Sequence, residues 1–203
     1  MRGYSMTNDE IFTAENLTLE TERLHLRLID LADTSDVFEF TSDAEVEKLT
    51  GMFSLHKDLD ETAAFIQTDF IDQYKQHKCI PWAVMHKSDN KVIGIVQVCN
   101  YKARHFRGEL GYTFARSCWG KGIATEAAQA AIDFGFNVLG LHRIEATVDP
   151  RNMASKRVLE KCGFQYEGLL RDCYFLRNEF CDRMVFALLS NTNGYRIFKN
   201  TEK

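Results

Sequence analysis

The stretch from Tyr112 to Glu126 is the part of this sequence best suited to chemistry. It reads as the end of a strand, a tight turn at Gly120, Lys121 and Gly122, and the start of a helix. Glycines let the backbone turn sharply and bring N–H groups close to a ligand, while a helix N-terminus adds unpaired donors and a partial positive charge. Such a turn suits phosphate oxygens, and it also suits an ordinary strand-to-helix connection. Two phosphate motifs fail on their own requirements. A P-loop needs a hydroxyl residue after its Gly-Lys pair to hold magnesium, and here Gly122 follows Lys121. A dinucleotide fingerprint needs a third small residue where Thr125 stands, and a parallel βαβ unit where this chain has strands joined by short turns. A second polar cluster lies at Asn152 and Ser155, where Asn152 opens a short helical pattern and is a good N-cap.

The elements that must position these residues follow from hydrophobic periodicity. Leu24, Leu26 and Leu28 alternate with polar neighbours as a strand, and residues 33–48 and 59–77 have a helical period. Trp82–His86, Val92–Val98 and Leu110–Ala115 then read as three strands in an antiparallel meander. Over residues 122–138, Ile123, Ala127, Ala131, Phe134 and Val138 share one helical face, whose alanines permit close approach to a sheet. His142–Val148 is another strand, residues 152–162 form a short helix closed by Gly163, and strands over 164–170 and 180–189 complete the sheet. The order β-α-α-β-β-β-α-β-α-β-β predicts an α/β fold of the α+β type, with a mixed, mostly antiparallel central sheet flanked by helices. A chain of 203 residues fits one domain, placed at 19–189 between a polar lead-in (1–18) and a polar tail (190–203).

At Trp119–Ala127 and again at Asp149–Phe164 the sequence resembles the acetyl-CoA signature of the GNAT superfamily of N-acetyltransferases, and more narrowly its RimJ/RimL-like branch, whose named members acetylate N-termini of ribosomal proteins. The likeness runs from about Leu19 to Leu189, with the two motifs about 30 residues apart. The family's phosphate turn is Gln/Arg-x-x-Gly-x-Gly/Ala, and Trp119, Gly122 and Ala124 hold its fixed places, Trp119 being a departure. The resemblance implies that Trp119, Gly120, Lys121, Gly122, Ile123, Ala124 and Thr125 wrap the pyrophosphate of CoA, chiefly through backbone N–H groups. It also implies that Tyr112 and Phe114 offer main-chain groups to a pantetheine arm inserted like an extra strand. Lys121 and Arg157 would add charge near the phosphates or stand as solvated surface cations.

Transfer of an acetyl group from a thioester to an amine needs a neutral amine, a polarised carbonyl and a tolerated thiolate. A protonated amine with a pKa near ~8 (α-amino) or ~10 (Lys) is no nucleophile, so a base must take a proton. Glu109, in the family's Glu-x-Gly-Tyr stretch, is the candidate base, with a solvated strand-edge glutamate as the alternative. A backbone N–H near Tyr112 would polarise the carbonyl. The resemblance gives Asn152, besides its capping role, a contact to pantetheine or an ordered water, and places Ser155 near the CoA sulfur. The tyrosine that many relatives use as acid for the thiolate is replaced by Leu159, which leaves Ser155 or water for that task. Cys118 and Cys162 are conceivable acyl carriers, but direct attack in a ternary complex is simpler.

Several classes are excluded or disfavoured. The longest apolar run, Met184–Leu189, is far below the roughly 18 residues of a membrane span, and the N-terminus has no secretory apolar core, so a cytoplasmic protein is expected. Six cysteines without a Cys-x-x-Cys pair read as reduced thiols, and scattered histidines without metal spacing argue against a metal site. A net charge of −4 disfavours nucleic acid as a partner. The partners expected are acetyl-CoA and an amine, either a protein N-terminus or a small molecule such as an aminoglycoside, polyamine or amino-acid derivative. A CoA-binding module without activity is the rival class. A monomer fits, as does a homodimer paired through the apolar C-terminal strand. Residues 1–70 carry five Lys/Arg against sixteen Asp/Glu, which predicts an acidic surface for a cationic acceptor opposite a basic region for CoA.

Overall fold

The structure, a computed structural model, describes residues 8–13, 17–51 and 53–190. The strands are β1 (Leu19–Glu20), β2 (Leu24–Leu28), β3 (Ile80–His86), β4 (Lys91–Lys102), β5 (Arg107–Phe114), β6 (Arg143–Val148), β7 (Gln165–Leu176) and β8 (Glu179–Leu189). The helices are α1 (Asn8–Thr13), α2 (Thr34–Thr41), α3 (Ala44–Leu49), α4 (Leu59–Phe65), α5 (Asp72–Lys75), α6 (Ile123–Asn137) and α7 (Met153–Lys161). Among the described residues the strands make one sheet in the order β1-β2-β3-β4-β5-β6-β8-β7, antiparallel at every pairing but β5 with β6. The mixed, mostly antiparallel α/β architecture is the one expected.

Side-chain alternation along the strands gives the sheet two apolar faces. Trp82, Val84, Val96 and Val98 pack with Phe12, Ala127, Ala131, Phe134 and Leu159 of α1, α6 and α7. On the other face Ala83 and Ile95 meet Val37 and Phe40 of α2, and Phe65, Ile66 and Phe70. Small residues on α6 bring it close to the sheet, and a Cβ at Gly135 would come within 2.9 Å of Ile144.

Local chemistry explains where the elements depart from expectation. The helical pattern at 33–48 is two helices: Ser42 Oγ donates to Phe38 O (2.6 Å) at the end of α2, and the Asp43 side chain caps α3 by accepting from Glu45 N–H (3.0 Å). The pattern at 59–77 is continuous but passes through a π-helical segment, Ile66–Ile71, between α4 and α5. The last hairpin is longer than predicted, turning at Arg177 and Asn178, both left-handed (φ 52° and 60°). Ahead of Leu19, α1 buries Ile11 and Phe12, and Leu17 O accepts from Trp82 Nε1 at 3.0 Å. Of the tail placed at 190–203, residues 191–203 lie outside the described residues.

The parallel seam positions the site. β5 pairs with β6 only through Arg107, Gly108 and Glu109, opposite Arg143, Ile144 and Glu145. Beyond Glu109 the two strands separate.

Candidate active site

The separated strands open a slot whose β5 side can hydrogen-bond. Ala115 N–H donates to Ile93 O of the β4 side (2.9 Å), so by alternation the main-chain groups of Leu110, Tyr112 and Phe114 turn away from β4 and toward β6. One of them is taken, since Trp119 Nε1 donates to Phe114 O at 3.1 Å. The slot continues into a groove of about 370 Å³ lined by Tyr112, Phe114, Trp119, Gly120, Gly122, Ala124 and Thr125 from the turn, and by Asn152, Ser155 and Arg157 from α7. The two stretches singled out in the sequence therefore form the two walls of one groove. Lys121 is not among its lining residues, and the Ile123 side chain is buried in the core, which leaves these two residues only their backbone groups. Val46, Leu49 and Thr50 of α3 and its end complete the wall, along with Lys161.

The turn is braced, and its backbone donors are left open. Gly120 and Gly122 take left-handed φ values of 73° and 77°, and no side chain caps the first turn of α6, whose N–H groups stay available. A Cβ at Gly120 would meet nothing within 4 Å, so that side of the turn is open. Glu126, in the same first turn, accepts from Thr21 Oγ1 (2.6 Å), Arg23 N (2.9 Å) and Arg23 Nε (2.6 Å), and Arg23 Nη1 donates to Lys121 O (2.9 Å). Burial works against ionisation of Glu126, but these donors outweigh it and hold the carboxyl below its usual range. Its negative charge is thereby compensated beside the groove. These donors from the β1–β2 region had no signal in the sequence.

A second cavity, about 180 Å³, lies against the first and shares Leu49, Thr50, Tyr112, Asn152 and Ser155 with it. Its far wall is one face of the sheet: Gln97 and Cys99 on β4, Glu109 and Gly111 on β5, Thr147 on β6, Asp149, and Arg183 on β8. Glu109 stands at the last residue pair of the parallel seam. Its Oε2 accepts from Asn100 Nδ2 (2.7 Å) and its Oε1 from Thr147 Oγ1 (3.2 Å). Asn100 can reach it because the β4–β5 ladder is irregular between Cys99 and Lys102 and Asn100 adopts φ 49° there. Neither holder of Glu109 was legible in the sequence.

At the junction of the cavities the Tyr112 hydroxyl lies 2.8 Å from Ser155 Oγ. Burial pushes this phenol well above the usual tyrosine range, against a weaker opposing pull from its Ser155 hydrogen bond. Tyr112 thus brings a protonated side chain as well as the expected main-chain groups. Leu159, by contrast, is sealed in the core. Asn152 is the N-cap predicted: its Oδ1 accepts from Ser155 N–H (3.0 Å), while its Nδ2 donates to Leu49 O (3.0 Å) and ties α7 to the end of α3. Burial raises the Cys162 thiol to about 11 and the Cys99 thiol to about 12, which keeps both from nucleophilic duty near neutral pH.

At its other end the cavity meets an ionic cluster. Arg183 Nη1 donates to Asp149 Oδ2 (3.0 Å), and Arg151 donates to the same carboxylate through Nε (2.9 Å) and Nη2 (2.8 Å). Burial alone would raise the Asp149 pKa, but these donors hold it at about 2. The Tyr174 ring lies 4.8 Å beneath the Arg183 guanidinium. Arg183 is 3% exposed, and its Nη2 has no hydrogen-bond partner among the described residues. A buried donor left so costs about 1–3 kcal/mol.

Residues 23–165 match the family model described as "Acetyltransferase (GNAT) domain". The chain is 37% identical over 172 residues to the uncharacterized N-acetyltransferase p20 of Bacillus licheniformis, covering 85% of this chain and 96% of that protein. The crystal structure of a GNAT-family acetyltransferase from Bacillus anthracis superposes with a TM-score of 0.75 at 31% identity, covering 86% of this chain and 99% of that one. Mycobacterium smegmatis RimJ in complex with CoA-disulfide superposes with a TM-score of 0.72 at 26% identity, covering 83% and 82%.

Proposed function

The chain belongs to the GNAT acetyltransferase family and is an acetyl-CoA-dependent N-acetyltransferase, and on that premise we propose that it acetylates a primary amine by direct attack, with Glu109 as base and Tyr112 as acid. Acetyl-CoA supplies an activated acetyl thioester, and the groove residues fit it: uncapped α6 N–H groups beside left-handed glycines for the pyrophosphate, and the open edge of β5 for the pantetheine. Glu109 takes a proton from the amine, directly or through a water. As the N–C bond forms and the C–S bond breaks, the main-chain N–H groups on the open edge of β5 face the carbonyl oxygen. Tyr112 O–H donates toward the departing sulfur, and Ser155 orients that hydroxyl. Because a thiol has a pKa near ~8.5, this acid needs only modest strength.

The observation that carries this reading is Glu109 itself: both of its oxygens are held from neighbouring strands, at the point where β5 and β6 part, on the far wall of the cavity that adjoins the groove. Within the amine class, the favoured acceptor is a protein N-terminus, in the RimJ/RimL-like manner. An α-amine, with a pKa near ~8, is more often neutral than a Lys-like or polyamine nitrogen near ~10 and asks less of a single base. Glu109→Gln tests the reading. We expect kcat to fall about 100-fold or more, with acetyl-CoA affinity within about twofold of wild type. The deficit should be largest at low pH and shrink as pH rises toward the amine's own pKa. A pH–rate profile matching wild type removes Glu109 from the role of base, and acetyl-CoA binding without CoA release on any amine or peptide supports a non-catalytic module instead.

A further inference from the structure

Arg183 stands in the cavity wall, and the acetyl transfer described above makes no use of it. Its guanidinium is fixed on two sides, by Asp149 Oδ2 on Nη1 at 3.0 Å and by the Tyr174 ring 4.8 Å from Cζ. The remaining nitrogen, Nη2, is buried, has no partner among the described residues, and lies against Gly51 on the cavity wall. A Cβ on Gly51 would come within 2.7 Å of Nη2, so only a glycine lets the backbone lie this close over it. Asp149 serves two guanidiniums, those of Arg183 and Arg151, and the carboxylate that next meets Arg151, Glu179, is surface-exposed at 3.4 Å. Asp149 is thus shared, and it leaves Arg183 Nη2 without an acceptor of its own.

We propose that Arg183 Nη2 binds an oxygen of the acceptor, so that the enzyme's substrates are primary amines that also carry a carbonyl or carboxylate group. This rests on the acetyl-transfer reading of the same cavity and names the class of amine it takes. Only a lone pair can satisfy a buried guanidinium N–H, and a protonated polyamine nitrogen offers none. To reach Nη2 the oxygen takes the place that Gly51 now holds over it. Its distance from the amine follows from register. Thr147, which holds Glu109, and Asp149, which holds Arg183, lie two residues apart on one side of the β6 line, about 7 Å along it. The oxygen is thus several bonds from the amine: the second carbonyl of a peptide, or the carboxylate of a short ω-amino acid.

The test compares kcat/KM for alanyl-alaninamide, 5-aminopentanoate, n-hexylamine and spermidine, using wild type, Arg183→Lys and Gly51→Ala. Arg183→Lys keeps a cation for Asp149 but lacks Nη2, and Gly51→Ala crowds Nη2 without touching the charges. In wild type we expect at least about a tenfold preference for an oxygen-bearing probe over hexylamine and spermidine, carried in KM. Preference for the dipeptide amide identifies a peptide carbonyl as the source, and preference for 5-aminopentanoate a carboxylate. In both variants the preference should fall toward unity while the acetyl-CoA Kd stays within about twofold. Turnover that is equal across the four amines in wild type, or a preference unchanged in both variants, overturns the assignment to Arg183 and leaves the acetyl-transfer reading standing. Acetyl-CoA binding with no turnover of any probe overturns both.

Discussion

The two cavities that meet at Tyr112 are built on different principles. The groove is made mainly from main chain: left-handed glycines, an uncapped helix end and the open edge of β5, all within one continuous stretch, with α7 as the opposite wall. The second cavity is made from side chains that arrive from distant parts of the chain: Asn100 and Thr147 on Glu109, then Arg183, Asp149 and Tyr174. A site built from backbone tolerates exchange of most side chains but not of the glycines that shape it. A side-chain site can be retuned one residue at a time. The first arrangement suits a co-substrate common to the family, and the second an acceptor that differs from one member to the next.

The largest effect that can break this comparison is expected at the turn. Gly122→Asp adds strain at φ 77° and a negative charge beside the phosphates, and should weaken acetyl-CoA binding about 100-fold, about 2.7 kcal/mol, in calorimetry. Gly122→Ala, strained but uncharged, should fall between the two. Unchanged affinity in a folded Gly122→Asp protein would mean that the groove does not hold the pyrophosphate. At the junction, Tyr112→Phe keeps the main-chain contacts and removes only the hydroxyl. Its kcat should drop about tenfold with acetyl-CoA affinity retained, less than the usual loss of about 100-fold or more for a missing acid because a thiolate is a weak base. A wild-type rate would return leaving-group protonation to Ser155 or water. The smallest effect belongs to the acidic region. Neutralising the exposed pair Glu45 and Asp60 should raise the acceptor KM about two- to threefold at low ionic strength and have no effect in 0.5 M salt, where the screening length is a few Å.

That last figure is small because several of these carboxylates already have partners in the folded chain. Asp33 is paired with Arg27, Asp36 accepts the Val92 N–H, Glu39 meets Lys91, Asp43 meets Arg116 and caps α3, and Glu47 meets Arg177. The imbalance over residues 1–70 was visible in the sequence, but its pairing with cations elsewhere was not. The same limit applies throughout. Strand alternation and the α6 face were legible because periodicity is local, and so were the Gly120–Gly122 turn and the Asn152 cap, which need only neighbours in sequence. The partners of Glu109 depend on an irregularity between β4 and β5 and on the register of β6, both of which exist only once the sheet has formed. The Tyr112 hydroxyl was hidden for a related reason: Leu159 removes the familiar acid, and nothing in the spacing says that a side chain from β5 reaches α7.

The brief parallel seam carries a thermodynamic consequence. With three residue pairs joining β5 to β6, the strands from β1 to β5 and those from β6 to β8 are hydrogen-bonded to one another over a short length of an otherwise continuous ladder. A pantetheine arm in the slot, as proposed above, would extend that ladder, and the co-substrate would then also act as a missing strand of the scaffold. Binding that favours the folded state adds RT ln(1 + [L]/Kd) to its stability, about 2.7 kcal/mol at a hundredfold excess over Kd. Cellular acetyl-CoA would then set the lifetime of this protein as well as its rate, and slow amide exchange along Leu110, Tyr112 and Phe114 would mark the strand being completed.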